Sequence, residues 1–182
     1  MSIDDKMEGV MMKALHNNLG YRPKEKVVIV AQRLASSLSV DTKEVLGRSV
    51  DLCEQLSRVY SVAGVNVSLM TYVPSAPGST VNPTPELYER IERYEDVFGV
   101  PEIVIAPCAY SITHTKFREE QNKKGSRIAT MSNSSLAMFT PGGPFDVEGD
   151  FHRIVYETLE IADKLRQSRY VRVAGINSDL LI

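Results

Sequence analysis

Cysteine and histidine are scarce in this chain of 182 residues, and long apolar runs are missing. Two cysteines, Cys53 and Cys108, are too few for a disulfide framework. Three histidines, His16, His114 and His152, leave few ligands for a metal site. Neither His-Glu-x-x-His nor Cys-x-x-Cys occurs to gather them. No apolar run approaches the ~18 residues of a membrane-crossing helix. The start, Met1-Ser2-Ile3-Asp4-Asp5, is acidic and polar, unlike a secretory signal. Net charge is -2 with a pI near 6.0, without the basic excess of a dedicated nucleic-acid or membrane-surface binder. There is no G-x-G-x-x-G and no Walker lysine loop, so a nucleotide cradle is unsupported. These absences leave the expectation of a soluble cytoplasmic protein with no nucleic-acid and no membrane partner. Hydrophobic residues at 43% and charged residues at 24% are ordinary for a globular chain, and the length predicts a single domain with a sizeable core.

What is present is an alternation of short apolar runs and longer amphipathic stretches. Met7, Val10, Met11, Ala14 and Leu15 share one face of a helix over 6–17. Lys26 to Ala31 is a β-branched run without alternation, the mark of a strand buried on both faces. A helix over 44–63 follows, with Gly64 at its left-handed cap, then a strand over 65–73. Residues 74–83 read as a loop, and Thr84-Pro85 opens a helix that Gly99 ends. Further strands are expected at 103–106, 127–131 and 170–174, with helices over 113–124 and 149–167. Strand-helix alternation implies parallel strands joined by right-handed crossovers. The expected fold is a three-layer α/β/α domain with about five mainly parallel strands.

In open parallel sheets ligands bind beyond the carboxyl ends of the strands. The segment after the third strand concentrates polar hydrogens there: Pro107-Cys108-Ala109-Tyr110-Ser111-Ile112-Thr113-His114-Thr115. Ser111, Thr113, His114 and Thr115 are the candidate substrate-binding residues. His114 could act as acid-base catalyst or ligand orienter, as imidazole side chains do. Alternatively Ser111 or Thr113 caps the following helix and His114 is a first-turn residue. Cys108 has only His114 nearby in sequence as an activating base, and an inert buried thiol is the better reading. Ser132-Asn133-Ser134-Ser135 could donate hydrogen bonds to a ligand, with a helix cap preferred. Arg33 reads as a solvated arginine. Asp146, Glu148 and Asp150 suit the positive end of the helix over 149–167 better than a cation site. Asn177-Ser178-Asp179 followed by Leu-Leu-Ile reads as the turn into another hairpin strand, and that apolar tip suggests the amino-terminal part of something longer.

Several segments, in order, resemble the amino-terminal domain of the aminopeptidase T type of metalloaminopeptidases, the leucyl aminopeptidases. Pro23-Lys24-Glu25-Lys26-Val27-Val28-Ile29 is similar to that family's P-G-E-x-V entry to its first strand, with lysine where glycine is usual. Ser111-Ile112-Thr113-His114-Thr115 resembles its Ser/Thr-His-Thr segment, and Gly125-Ser126-Arg127-Ile128-Ala129 its G-x-R-hydrophobic strand. Asp150 falls where the family tends to carry an aspartate, and Asn177-Ser178-Asp179-Leu180 resembles its G-T-D-L turn. The resemblance implies a non-catalytic domain that shapes a substrate cavity and dimer contacts, for a peptide or small-molecule substrate. The family's dinuclear site uses Glu, His, Tyr and Asp from a carboxy-terminal domain, which would begin after Ile182. No metal or catalytic residue carries over to this chain. Zinc, cobalt or manganese, and homodimerisation, are implied for the full-length enzyme. The related dihydroxypyridine dioxygenases share the architecture, so a ring-cleaving relative is a further implication. A self-sufficient small-ligand binding module is the reading the residues support without the resemblance.

Overall fold

The computed structural model describes residues 4–33, 40–76, 81–146, 151–175 and 178–181. Its contacts divide the chain into two compact units, Met1–Asp146 and Val147–Ile182. In the first unit the order is α1 (Asp5–Lys13), a π-helical turn (Ala14–Asn18), β1 (Lys26–Gln32), α2 (Val40–Val62), β2 (Asn66–Tyr72), α3 (Pro85–Phe98), β3 (Ile103–Ala106), α4 (Lys116–Lys123), β4 (Arg127–Thr130) and a 3-10 turn (Leu136–Phe139).

The four strands form one all-parallel sheet in the order β2-β1-β3-β4. The apolar run of β1 explains its central place, because side chains on both of its faces must be covered. Val27, Ile29 and Ala31 join a core with Leu52, Cys53, Leu56 and Tyr60 of α2 and Met7, Val10 and Met11 of α1. Val28 and Val30 join the opposite core with Leu87, Ile91 and Tyr94 of α3 and Phe117 of α4. Helices thus cover both faces, and the architecture is three-layered α/β/α. Each fully buried branched side chain of β1 contributes about 2 kcal/mol relative to exposure.

Local signals explain most boundaries. Asp4 caps α1 by accepting from the Met7 N–H at 2.9 Å. Gly64 closes α2 with φ +78°, a backbone that costs a side-chain-bearing residue energy. The helix expected over 6–17 is not uniform, because its last turn widens into the π form. The Tyr60 hydroxyl donates to the Met11 carbonyl at 3.2 Å just before that change. A side chain bonded into the ladder is a recognised cause of such widening.

The amino edge of the sheet is held by charge. Arg127 Nη1 donates to the Leu19 and Gly20 carbonyls at 2.7 Å each, and Nη2 pairs with Glu25 Oε2 at 2.5 Å. Burial opposes ionisation of Glu25, but hydrogen bonds from Arg127 and the Arg22 N–H outweigh it and hold the carboxyl below its ordinary value. Lys24, immediately before Glu25, has φ +74°. Nearby, the Glu102 carboxylate accepts from the Lys26 N–H at 2.7 Å and lies 3.4 Å from its Nζ.

In the second unit, α5 (Phe151–Gln167) is followed by β5 (Arg172–Gly175) and β6 (Ser178–Leu181). The expected hairpin is present: β5 and β6 pair antiparallel, with Gly175 opposite Ser178. The strand expected at 170–174 as a member of the parallel sheet therefore has its ladder in a separate two-stranded ribbon, and the parallel sheet has four strands. A two-residue connection is the shortest closure available to a strand, which favours that partner. The helix α5 carries Arg153–Glu157, Lys164–Glu160 and Arg166–Asp163 ion pairs along its surface.

Candidate functional site

Strand order reverses between β1 and β3, which defines the switch point where doubly wound sheets hold ligands. The two strands part at that place. Their pairing stops at Ile29 opposite Ile105, while β1 and β2 stay paired to Gln32 opposite Tyr72. The gap is bridged by side chains. Gln32 Nε2 donates to the Tyr110 carbonyl and Gln32 Oε1 accepts from the Tyr110 N–H, both at 2.9 Å, replacing the missing ladder. The same Nε2 lies 2.6 Å from the Tyr72 hydroxyl. Below it, the Val30 carbonyl is approached by Cys108 Sγ at 3.5 Å and Cys53 Sγ at 3.8 Å. Ser49 Oγ donates to the Pro107 carbonyl.

This packing settles the chemistry of the cysteines. Both are fully buried. Burial, with a smaller effect from Glu54, pushes the Cys53 thiol up to about 12. Burial, with Cys53 beside it, raises Cys108 as well. Neither is a thiolate near neutrality, and a thiol nucleophile needs to be one. Cys108 is also not brought to His114, which lies exposed on the surface.

The segment after β3 supplies the rest of the site. Pro107 to Ala109 and Ile112 are buried, which draws the chain across the carboxyl edge. Ser111 Oγ and Thr113 Oγ1 are 2.6 Å apart, and Thr113 Oγ1 is 2.8 Å from Thr130 Oγ1 at the end of β4. The three hydroxyls form one relay, in which each can switch donor and acceptor roles. The helix cap is Thr115 rather than Ser111 or Thr113. Its Oγ1 donates to the Ile112 carbonyl at 2.7 Å and accepts from the Arg118 N–H at 3.4 Å. The two earlier hydroxyls are engaged with each other and with Thr130, so the helix starts later, at Lys116.

Thr113, His114 and Thr115, but not Ser111, line an open depression of about 650 Å³, together with Lys116, Arg118 and Asn122. Arg118 Nη1 donates to the Thr113 carbonyl at 3.1 Å, while its buried Nε has no partner. Lys123 is paired with Glu119 at 2.6 Å, and the Lys116 N–H donates to Asn82 Oδ1 at 2.8 Å. The depression is therefore polar and cationic on balance, with hydroxyls at its inner end and an exposed imidazole at its rim.

A second, smaller hollow of about 210 Å³ lies at the carboxyl ends of β3 and β4. It is bounded by Val45, Arg48 and Ser49 of α2, by Ala109, and by Asn133, Ser134 and Ser135. Ser135 is the residue before the 3-10 turn but makes no side-chain cap, so the capping role expected for this segment is not taken up there. Arg33 pairs with Glu86 at 2.7 Å with about half of its side chain exposed, close to the solvated arginine expected.

Asp146 accepts from the Gly142 N–H at 2.9 Å and from Lys13 at 3.1 Å. Glu148, Asp150 and Asn177 lie outside the described residues. Among the described residues no group of three or more His, Cys, Asp or Glu is arranged to hold a metal ion, and none of their helices is long and apolar enough to cross a membrane. Tyr72 and Thr130 escaped the sequence reading as site residues, and the Gln32-Arg33 segment after the first strand offers no glycine-rich turn to mark it. Only Gln32 left a trace, as a polar residue ending an otherwise apolar run. Fold and site together define a doubly wound α/β domain with polar hollows on its carboxyl edge. Compared with protein families, curated proteins and solved structures, the chain matches none of them.

Proposed function

We propose that this chain is the non-catalytic amino-terminal domain of a metal-dependent, aminopeptidase-like hydrolase. Its contribution is one wall of the substrate cavity, built from Thr113, His114 and Thr115, with Ser111 behind them, and its partners are a peptide or small-molecule substrate and a second copy of the full-length enzyme. The observation that carries the reading is at Lys24. The resembled family has glycine there, and Lys24 adopts the left-handed backbone, φ +74°, that glycine takes without strain. The same segment meets a second resembled segment through Glu25 and Arg127, about a hundred residues apart along the chain. That contact is a structural brace at the amino edge, away from the candidate cavity wall, as suits a domain whose metal ligands come from elsewhere.

The test is direct. Residues 1–182 should release no leucine from a peptide when supplied with zinc, cobalt or manganese. Metal-dependent release would overturn the reading. The codons after Ile182 should continue into a segment rich in Glu, His and Asp ligands, and a stop codon there would also overturn it.

A further inference from the structure

We propose that the hollow between α2 and the segments after β3 and β4 binds the carboxylate of a small organic acid. The site is separate from the depression at α4 and does not depend on the aminopeptidase reading. Three groups at the hollow are left to a ligand. The Arg48 side chain is 60% exposed, and among the described residues its ion pair is with Glu44, one turn back on the same helix at 4.0 Å. Such a contact is weak and easily exchanged. Asn133 stands with φ +56°, and neither its amide nor the Ser135 hydroxyl has a hydrogen-bond partner among the described residues. The other two hydroxyls are spent: Ser49 donates to the Pro107 carbonyl and Ser134 to the Met131 carbonyl at 2.7 Å. Arg48, held only by a long contact to Glu44, therefore lines the hollow from one side, and the Asn133 amide and Ser135 hydroxyl line it from the other.

The class of ligand follows from this inventory. A guanidinium presents a planar fork that matches two carboxylate oxygens. One cation with a neutral amide and a hydroxyl suits a single negative charge better than a phosphate dianion. At about 210 Å³ the hollow falls below the ~300 Å³ where sites for drug-sized ligands begin. It therefore admits an acid of metabolite size. Its position beyond the carboxyl ends of parallel strands is where such folds place their ligands. The switch point next to it is filled by Gln32 and the two thiols.

The experiment is a titration of the 182-residue chain with acetate, followed through backbone amide shifts in a nitrogen-15 spectrum. Acetamide, the neutral isostere, and inorganic phosphate are run in parallel. Acetate should move the Ala109 and Ser135 amides saturably, and acetamide should not. Arg48→Met should weaken acetate binding by roughly tenfold or more, the loss of one charge-assisted fork, with an unchanged melting temperature. Equal responses to acetate and acetamide would overturn the proposal. So would binding of phosphate in preference to acetate, retained affinity in Arg48→Met, or shifts confined to residues 113–123. If Arg48→Met fails to fold, the acetate-acetamide contrast in the unsubstituted chain still decides.

Discussion

The two edges of the parallel sheet are built from different chemistry. At the amino edge, strands are tied by ions: Arg127 to Glu25 and two carbonyls, Lys26 to Glu102 and the Phe98 carbonyl. At the carboxyl edge they are tied by neutral groups: the Gln32 amide to Tyr110 and Tyr72, and the hydroxyls of Ser111, Thr113 and Thr130 to one another. Charged bonds are directional and strong, but they fix their partners and respond to pH. Neutral hydroxyls can exchange donor for acceptor without changing net charge. The amino edge uses ions, and the carboxyl edge, where parallel sheets commonly place ligands, keeps most of its charge out of the connections between strands.

The comparison can be broken by substitution. The largest loss is expected for Gln32→Ala, at about 3 kcal/mol, because it strands the buried Tyr72 hydroxyl and the part-buried Tyr110 N–H and carbonyl. Urea unfolding should show the lower midpoint with an unchanged slope. Arg127→Ala should cost about 2 kcal/mol by the same measurement, moderated because the pair is part-exposed. The two edges then part company with pH. The folded Glu25 carboxyl is lowered, so its stabilisation is complete above the ordinary value of ~4.3 and disappears as pH falls through the lowered value. Glu25→Gln should flatten that stretch of the acid limb, whereas Thr113→Val should leave the limb's shape unchanged. A smaller effect of opposite sign is expected for Lys24→Gly, a gain of about 1 kcal/mol in melting experiments from relief of the left-handed backbone. His114→Ala, at an exposed site, should move the melting temperature least, by the equivalent of under ~0.5 kcal/mol. A large shift would show that His114 is part of the hydroxyl relay.

Most of the sheet was legible because its signals are local. The run from Val27 to Ala31 could only be a strand covered on both faces, and Thr84-Pro85 with Gly99 bounded α3 to the residue. The carboxyl edge was legible in place but not in detail. Polar side chains crowded into residues 108–115 mark a strand end, yet which hydroxyl caps α4 depends on Thr130, fifteen residues beyond Thr115. The Gln32 bridge depends on the strands parting, a property of pairing that no single segment carries. The strand at 172–175 had the right composition for the parallel sheet, and only its partner distinguishes the two outcomes.

The order β2-β1-β3-β4 also sets a timetable. The central strand is the first to be synthesised, yet its partners follow about forty and seventy-six residues later, as Lys26 facing Asn66 and Val27 facing Ile103 require. At the ~5–20 residues per second of translation, the most apolar strand waits several seconds on the ribosome for both neighbours. During that interval α1 and α2 are the native cover within reach of one of its faces, and a partner that shields the other until α3 and β3 emerge would raise the yield of folded chains.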